Sequence, residues 1–389
     1  MMTHQLDTKE LGRRLRVARE SVGQTQAIAA RNVGLSRTTL VAIEKGERAI
    51  RDDELIALVD VYGIRLNELL RREAINVDLL PRFRKMTEPG EGETETAISI
   101  LNDFVAAEVE LESILGVERR SSLPQERPLL PGDVRKQAER DAAELRERLG
   151  LGQGPVRNAF ALLELDMGIR LYAHPLPANV SGLFAFDEKV GACVLLNSSH
   201  RYERQVQTAI HELGHIVSAR HRPDVCDERF QVNSREERYA ITFAPAFLMP
   251  ANTVLRKLNE IRGTSKQLTR RHVIILSHYF GASREGFVRR LEEIKLAPKG
   301  AWDWFVRNGG ITDKQAEEVL GTDTIRELSS RERLTPSSVR LETLAAQALR
   351  RELMSEGQIS GLLKIDRLKA RRLALEAEDI QGVGNFIAH

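Results

Sequence analysis

Two histidines four residues apart, in the run His211-Glu212-Leu213-Gly214-His215, lie within a stretch whose apolar residues Val206, Ala209, Ile210, Leu213, Ile216 and Val217 share one helical face. This feature constrains the fold more than any other. A spacing of four places both imidazoles on one side of a helix, where they can bind one cation tetrahedrally, with Glu212 beside the coordination position left open. A third ligand must then come from another element. The segment Ser234 to Pro250 offers one, because Glu237, Ala240, Ala244 and Leu248 form a single stripe, and an acid on the inner side of such a helix needs a partner. Glu236 is the neighbouring alternative. Ordinary charge at a helix start accounts for either residue without a metal.

With 389 residues the chain exceeds one ordinary core, and roughly 150 residues per domain suggests two or three. A hydrophobic share of 42% beside 29% charged residues excludes the disordered, fibrous and membrane classes. The expected class is mainly α with a small β-sheet, α+β. Residues 8–73 read as short helices with tight turns. Residues 74–132 are broken by Pro81, Pro89-Gly90, Pro124, Pro128 and Pro131-Gly132 and read as a linker carrying one helix, Thr94 to Gly116, for packing or dimer formation, with an acidic opposite face. Residues 133–296 open on a charged helix to Gly150, continue through a helix running into a strand over 156–173, and add short strands at Val180 to Phe186 and Ala192 to Leu196. Residues 297–389 read as a helical C-terminal domain with a capped helix from Thr335 to Arg350 and a basic helix-turn-helix rhythm from Met354 to Leu373. Trp302 and Trp304 are candidates to anchor it. Cys193 and Cys226 read as buried or idle thiols. The first residues lack the apolar core of a signal peptide, and no run approaches the roughly 18 apolar residues of a membrane span, so the reading is cytoplasmic with no membrane partner.

Charge is unevenly placed. Residues 11 to 51 hold eight Arg and Lys45 against Glu20, Glu44 and Glu47, a local excess of six in a chain whose net charge is +2. Phosphate contact requires such an excess. Within it, Thr25 can cap one helix, Gly34 supplies a turn and Ser36 can cap the next, while Ile28, Ala29, Val33, Leu40 and Ile43 hold the pair together. From Leu11 to Leu70 the pattern resembles the Cro/C1-type (XRE) helix-turn-helix family, which implies a five-helix domain that binds a double-stranded DNA operator, usually as a homodimer. By that resemblance the start of the second helix enters the major groove, here Ser36, Arg37, Thr38 and Ala42. Arg37 suits a guanine, whose edge offers two acceptors to one planar fork. Gln26 and Arg48 fall where the family touches phosphate.

A second resemblance covers roughly residues 150 to 295. Val180-Ser-Gly-Leu183, Val194-Leu-Leu-Asn197, His211 to His215, and Glu237 to Pro250 match in order the motifs of the ImmA/IrrE metallopeptidase family, with Phe247 where Leu is usual. The resemblance implies a zincin-like domain in which His211, His215 and Glu237 hold Zn2+, and in which Glu212 takes a proton from the water that attacks a peptide carbonyl. Mn2+ suits two histidines and a carboxylate as well. His200, Tyr202, His221 and Tyr239 are candidates to stabilise the oxyanion. The functional expectation is a transcription regulator that cleaves a protein, a partner repressor, in a stress or mobile-element response. Two other readings stand beside it: a non-catalytic regulator that senses a ligand, and an antitoxin or phage-defence regulator.

Overall fold

The computed structural model describes residues 8–64, 79, 92–227, 234–263, 267–322, 338–373 and 375. Helices dominate, and the described strands form one four-stranded sheet, an α+β protein. The chain divides into two compact units, residues 1–75 and 76–389.

Unit 1 contains four described helices: α1 (Thr8–Ser21), α2 (Gln26–Asn32), α3 (Arg37–Glu44) and α4 (Asp52–Tyr62). The fifth helix expected from the sequence lies outside the described residues. Thr25 caps α2 by accepting from the Ile28 N–H at 3.3 Å, and Ser36 caps α3 by accepting from the Thr39 N–H at 3.0 Å. Leu15, Ala29, Ala30, Leu40, Ile43, Leu58 and Tyr62 close the core. Ile28 does not join them; it is 49% exposed, because Ala29 and Ala30 take the inner face of this two-turn helix. Inside the core lies an ion pair that no local pattern announces. The Arg19 Nε donates to Glu44 at 2.6 Å, and Gln26 Nε2 donates to the same carboxylate at 2.8 Å.

Unit 2 is built on a sheet of order β1-β3-β2-β4, from β1 (Arg170–His174), β2 (Val180–Asp187), β3 (Gly191–Asn197) and β4 (Asp224–Asp227). Only β1 and β3 run parallel. Helices cover both faces, so β3 is apolar from Ala192 to Leu196: Ala192, Val194 and Leu196 enter one core, Cys193 and Leu195 the other. The first face receives α7 (Tyr202–Ser218), backed by α8 (Arg235–Leu248) and α6 (Val134–Arg148). Gly182 lets α7 lie close, since a Cβ there would stand 2.8 Å from Thr208 Cγ2.

The other face receives α5 (Gly92–Leu115), the helix of the segment read as a linker. Glu93 and Glu95 at its start are exposed, but Glu108 and Glu112 are buried. Glu108 accepts from the Tyr172 hydroxyl at 2.6 Å, from Arg170 at 2.8 Å and from Arg119, while Glu112 accepts from Arg170 at 2.7 Å and from Arg340 at 2.9 Å. Glu164 completes the cluster, accepting from Ser338 Oγ at 2.7 Å and the Arg340 N–H at 3.2 Å. Burial works to raise Glu112, and its two arginines outweigh this and hold it below the usual carboxylate range. The irregular residues that follow α5 are also fixed, with the Ser122 N–H on Met167 O and the Arg127 N–H on Val217 O.

Beyond α8, the helices Ala251–Arg262, Arg270–Phe280, Arg284–Glu293, Ala301–Arg307 and Asp313–Leu320 extend the first core, and Trp302 packs against it. Trp304 is 52% exposed and meets that core only edge-on at Phe305. The helix Val339–Arg350 begins at a Ser338 cap and packs on α5; Thr335 to Ser337, read as part of it, lie outside the described residues.

Candidate metal centre

The amphipathic helix α7 carries His211, Glu212 and His215 on its buried length, where they are 7%, 0% and 4% exposed. The start of α8 brings in the acid. Ser234 caps α8 by accepting from the Glu237 N–H at 3.0 Å, which places Glu237 in the first helical turn, where unpaired amides favour a carboxylate. The two helices come close at Gly214, where a Cβ would stand 3.0 Å from Ala240 Cα and 3.2 Å from Ala240 Cβ.

The Nε2 atoms of His211 and His215 are 3.2 Å apart, and Glu237 Oε2 lies 3.6 Å from the first and 3.3 Å from the second. These separations match the edges of a tetrahedron of donors with bonds of about 2.0–2.1 Å to a central cation, which are about 3.3 Å. The donors therefore fit a zinc-sized divalent ion. Glu236 points elsewhere and pairs with Arg222 at 2.7 Å. Both oxygens of Glu212 are buried without a hydrogen-bond partner, a costly arrangement unless something outside the chain completes it.

Charge within the centre is strongly coupled. Burial works to lower His215, but Asp224 and Glu237 prevail and push it up to about 9. Burial works to raise Glu237, and the two histidines prevail and hold it at about 2. Burial and the neighbouring Asp224 carboxylate both push Glu212 well above the usual carboxylate range.

Asp224 was not among the residues singled out from the sequence. Its Oδ2 stands 3.6 Å from His215 Nε2, and the donor atoms of His211, His215, Asp224 and Glu237 all lie within 4.8 Å of one another. Cys226, two residues on, reaches within the same distance of His211 and Glu212, so its thiol lies beside the centre. Burial holds that thiol well above its ordinary range, as it does Cys193 on the far face of the sheet.

The centre opens on a cleft of about 1550 Å³ lined by Ser181, His200, Arg204, Cys226, Arg238 and Ile241 among others. Of the oxyanion candidates, His200 lines it. Tyr239 does not qualify: it is fully buried, and its hydroxyl donates to Asp141 at 3.1 Å, because the core-facing side of α8 packs on α6. Tyr202 packs edge-on against Phe160, and His221 lies edge-on to Phe186.

In unit 1, Ser36, Arg37 and Thr38 are exposed at the start of α3. Ser36 is occupied with its cap. Gln26 is bound to Glu44, and Arg48 makes a two-pronged contact with Glu54 at 2.9 and 3.0 Å, so both side chains meet carboxylates of their own domain.

Residues 10–72 match the family model of a helix-turn-helix domain, and residues 165–292 match that of the IrrE N-terminal-like domain of the M78 peptidases. No curated protein matches the chain. Among solved structures, ComR from Streptococcus suis aligns over 98% of this chain and 97% of its own at 11% identity and a TM-score of 0.16; the apo form of ComR from S. thermophilus aligns over 98% and 100% at 12% identity and the same score. No described helix is long and apolar enough to cross a membrane. The chain joins a DNA-binding helix-turn-helix domain of the XRE type to an IrrE-like domain of the M78 metallopeptidase family.

Proposed function

We propose that the chain is a transcription regulator whose second unit is a zinc endopeptidase, cleaving a partner repressor in a stress or mobile-element response. The observation that carries this reading is the convergence of His211, His215 and Glu237 beside a fully buried Glu212 whose oxygens have no partner. His211, His215 and Glu237 would hold the ion, Zn2+ or Mn2+. When bound, it supplies Lewis-acid polarisation of a peptide carbonyl and makes water easier to deprotonate. Glu212 would accept the proton of the attacking water at a carboxylate oxygen and return it to the leaving amine. The cleft orients the peptide. In the first unit, Arg37 and Thr38 read bases while Gln26, Ser36 and Arg48 complete the DNA contact, Gln26 and Arg48 at phosphate, as a homodimer on a palindromic operator.

The test is Glu212→Gln, compared with wild type in a cleavage time course against the repressor encoded nearest in the genome. Loss of a positioned general base should slow cleavage by about 100- to 10,000-fold. Operator binding should persist, because unit 1 has its own core. Cleavage by the variant at the wild-type rate would remove Glu212 from the mechanism. A second reading has one observation in its favour, a cavity of about 300 Å³ between α5, β1 and the C-terminal helices, lined by Phe104, Tyr172, Leu341 and Lys364. A ligand-sensing regulator would use that cavity and leave the repressor uncut by both proteins.

A further inference from the structure

We infer that Asp224 is a fourth protein donor to the cation, delivered by the edge strand β4 rather than by either helix, so that the chain itself fills the position such centres leave open. The inference rests on the metal reading above.

The ring atom that Asp224 faces is the first argument. A carboxylate that merely orients a ligating histidine sits at the ring nitrogen turned away from the ion. Asp224 Oδ2 instead stands 3.6 Å from His215 Nε2, the same nitrogen that faces His211 Nε2 at 3.2 Å and Glu237 Oε2 at 3.3 Å. It lies on the donor side of the ring. The second argument is an unmet need: that oxygen is buried and has no hydrogen-bond partner. The third is topology. Asp224 pairs with Phe184 across β2, and alternate residues of a strand share a face, so Asp224 and Cys226 turn toward the centre while Val225 packs into the opposite core.

Two carboxylates would neutralise a divalent cation in a buried site, and the harder oxygen donors shift preference toward ions such as Mn2+. A fourth protein donor also makes the resting centre resemble the closed shell of structural sites. Substrate would then have to displace Asp224 or enlarge the shell.

The full chain carrying Cys226→Ala, with and without Asp224→Cys, is loaded with Co2+ and its absorption recorded. A thiolate-to-cobalt charge-transfer band that appears only with Asp224→Cys is expected. Zinc titrations of Asp224→Ala and the isosteric Asp224→Asn accompany it, with circular dichroism to verify folding, and at least tenfold weaker binding is expected. The absence of the band in a protein that binds cobalt overturns the assignment while leaving the peptidase reading intact. Failure of the wild-type chain to bind zinc, cobalt or manganese would overturn both.

Discussion

Among the described residues of the second unit, a buried cluster of charge lies on each side of the sheet, and the two end differently. On the α5 side, Glu108, Glu112 and Glu164 meet Arg119, Arg170, Arg340, Tyr172 and Ser338, and each carboxylate is hydrogen-bonded within the chain. On the α7 side, Asp224 and Glu237 face His211 and His215, and among the described residues three carboxylate oxygens, both of Glu212 and Oδ2 of Asp224, are buried without hydrogen-bond partners. Burial alone therefore does not mark a functional site. What marks it is a charge deficit that the chain leaves unfilled, since buried carboxylates are tolerated only when paired or bound to metal.

The comparison can be broken in several ways. The largest effect is expected from Arg170→Met, which strips a buried cation shared by two carboxylates and should cost about 3–5 kcal/mol of stability in urea unfolding. Zinc affinity should be unchanged in the surviving folded fraction; a parallel loss would mean the clusters are one system. Next, zinc at 100 times its dissociation constant should stabilise the wild type by about 2.7 kcal/mol through mass action. Glu237→Gln should forfeit nearly all of that gain at the same zinc concentration, and Arg340→Met should keep it. An equal thermal shift in all three proteins would place the ion elsewhere.

A smaller effect should be read in acid. The folded pKa of Glu112 is depressed, so the folded state binds this proton less readily than the unfolded chain, and its contribution is present above the unfolded value of about 4.3 and fades as pH falls through the folded value. Glu112→Gln should flatten that part of the stability curve, seen as a shallower loss of Tm below pH 4.5 or so. An unchanged slope would show that Arg170 and Arg340 do not act through this carboxylate.

What the sequence reveals about these clusters follows from how far apart their members lie. The pairing of His211 with His215 is legible because a helix converts a spacing of four into proximity, and Ser234 at a cap position places Glu237 by equally local rules. Asp224 is not legible. It reaches the centre only because β4 pairs with β2, forty residues away, and nothing around it in the sequence records that pairing. The acids of α5 mislead for the same reason: alternating with apolar residues they look like a solvated face, while their arginines sit up to 228 residues away. Tyr239 is ambiguous in the sequence because periodicity says which side of α8 is inward, but not that the inward side meets α6 and Asp141 rather than the cleft.

Gly214 is neither ligand nor acid, yet it acts as the gauge of the centre. His211 and His215 ride on one helix and Glu237 on the other, and the close crossing at Gly214 and Ala240 fixes how far apart the two sets stand. One methyl group there would prise the helices apart by a few tenths of an ångström, comparable with the difference in bond length between one divalent ion and the next. On the proposed metal reading, the preference for one ion over another would rest partly on a residue with no side chain, and a bulkier neighbour at the crossing would retune the bite of the site without altering a single donor.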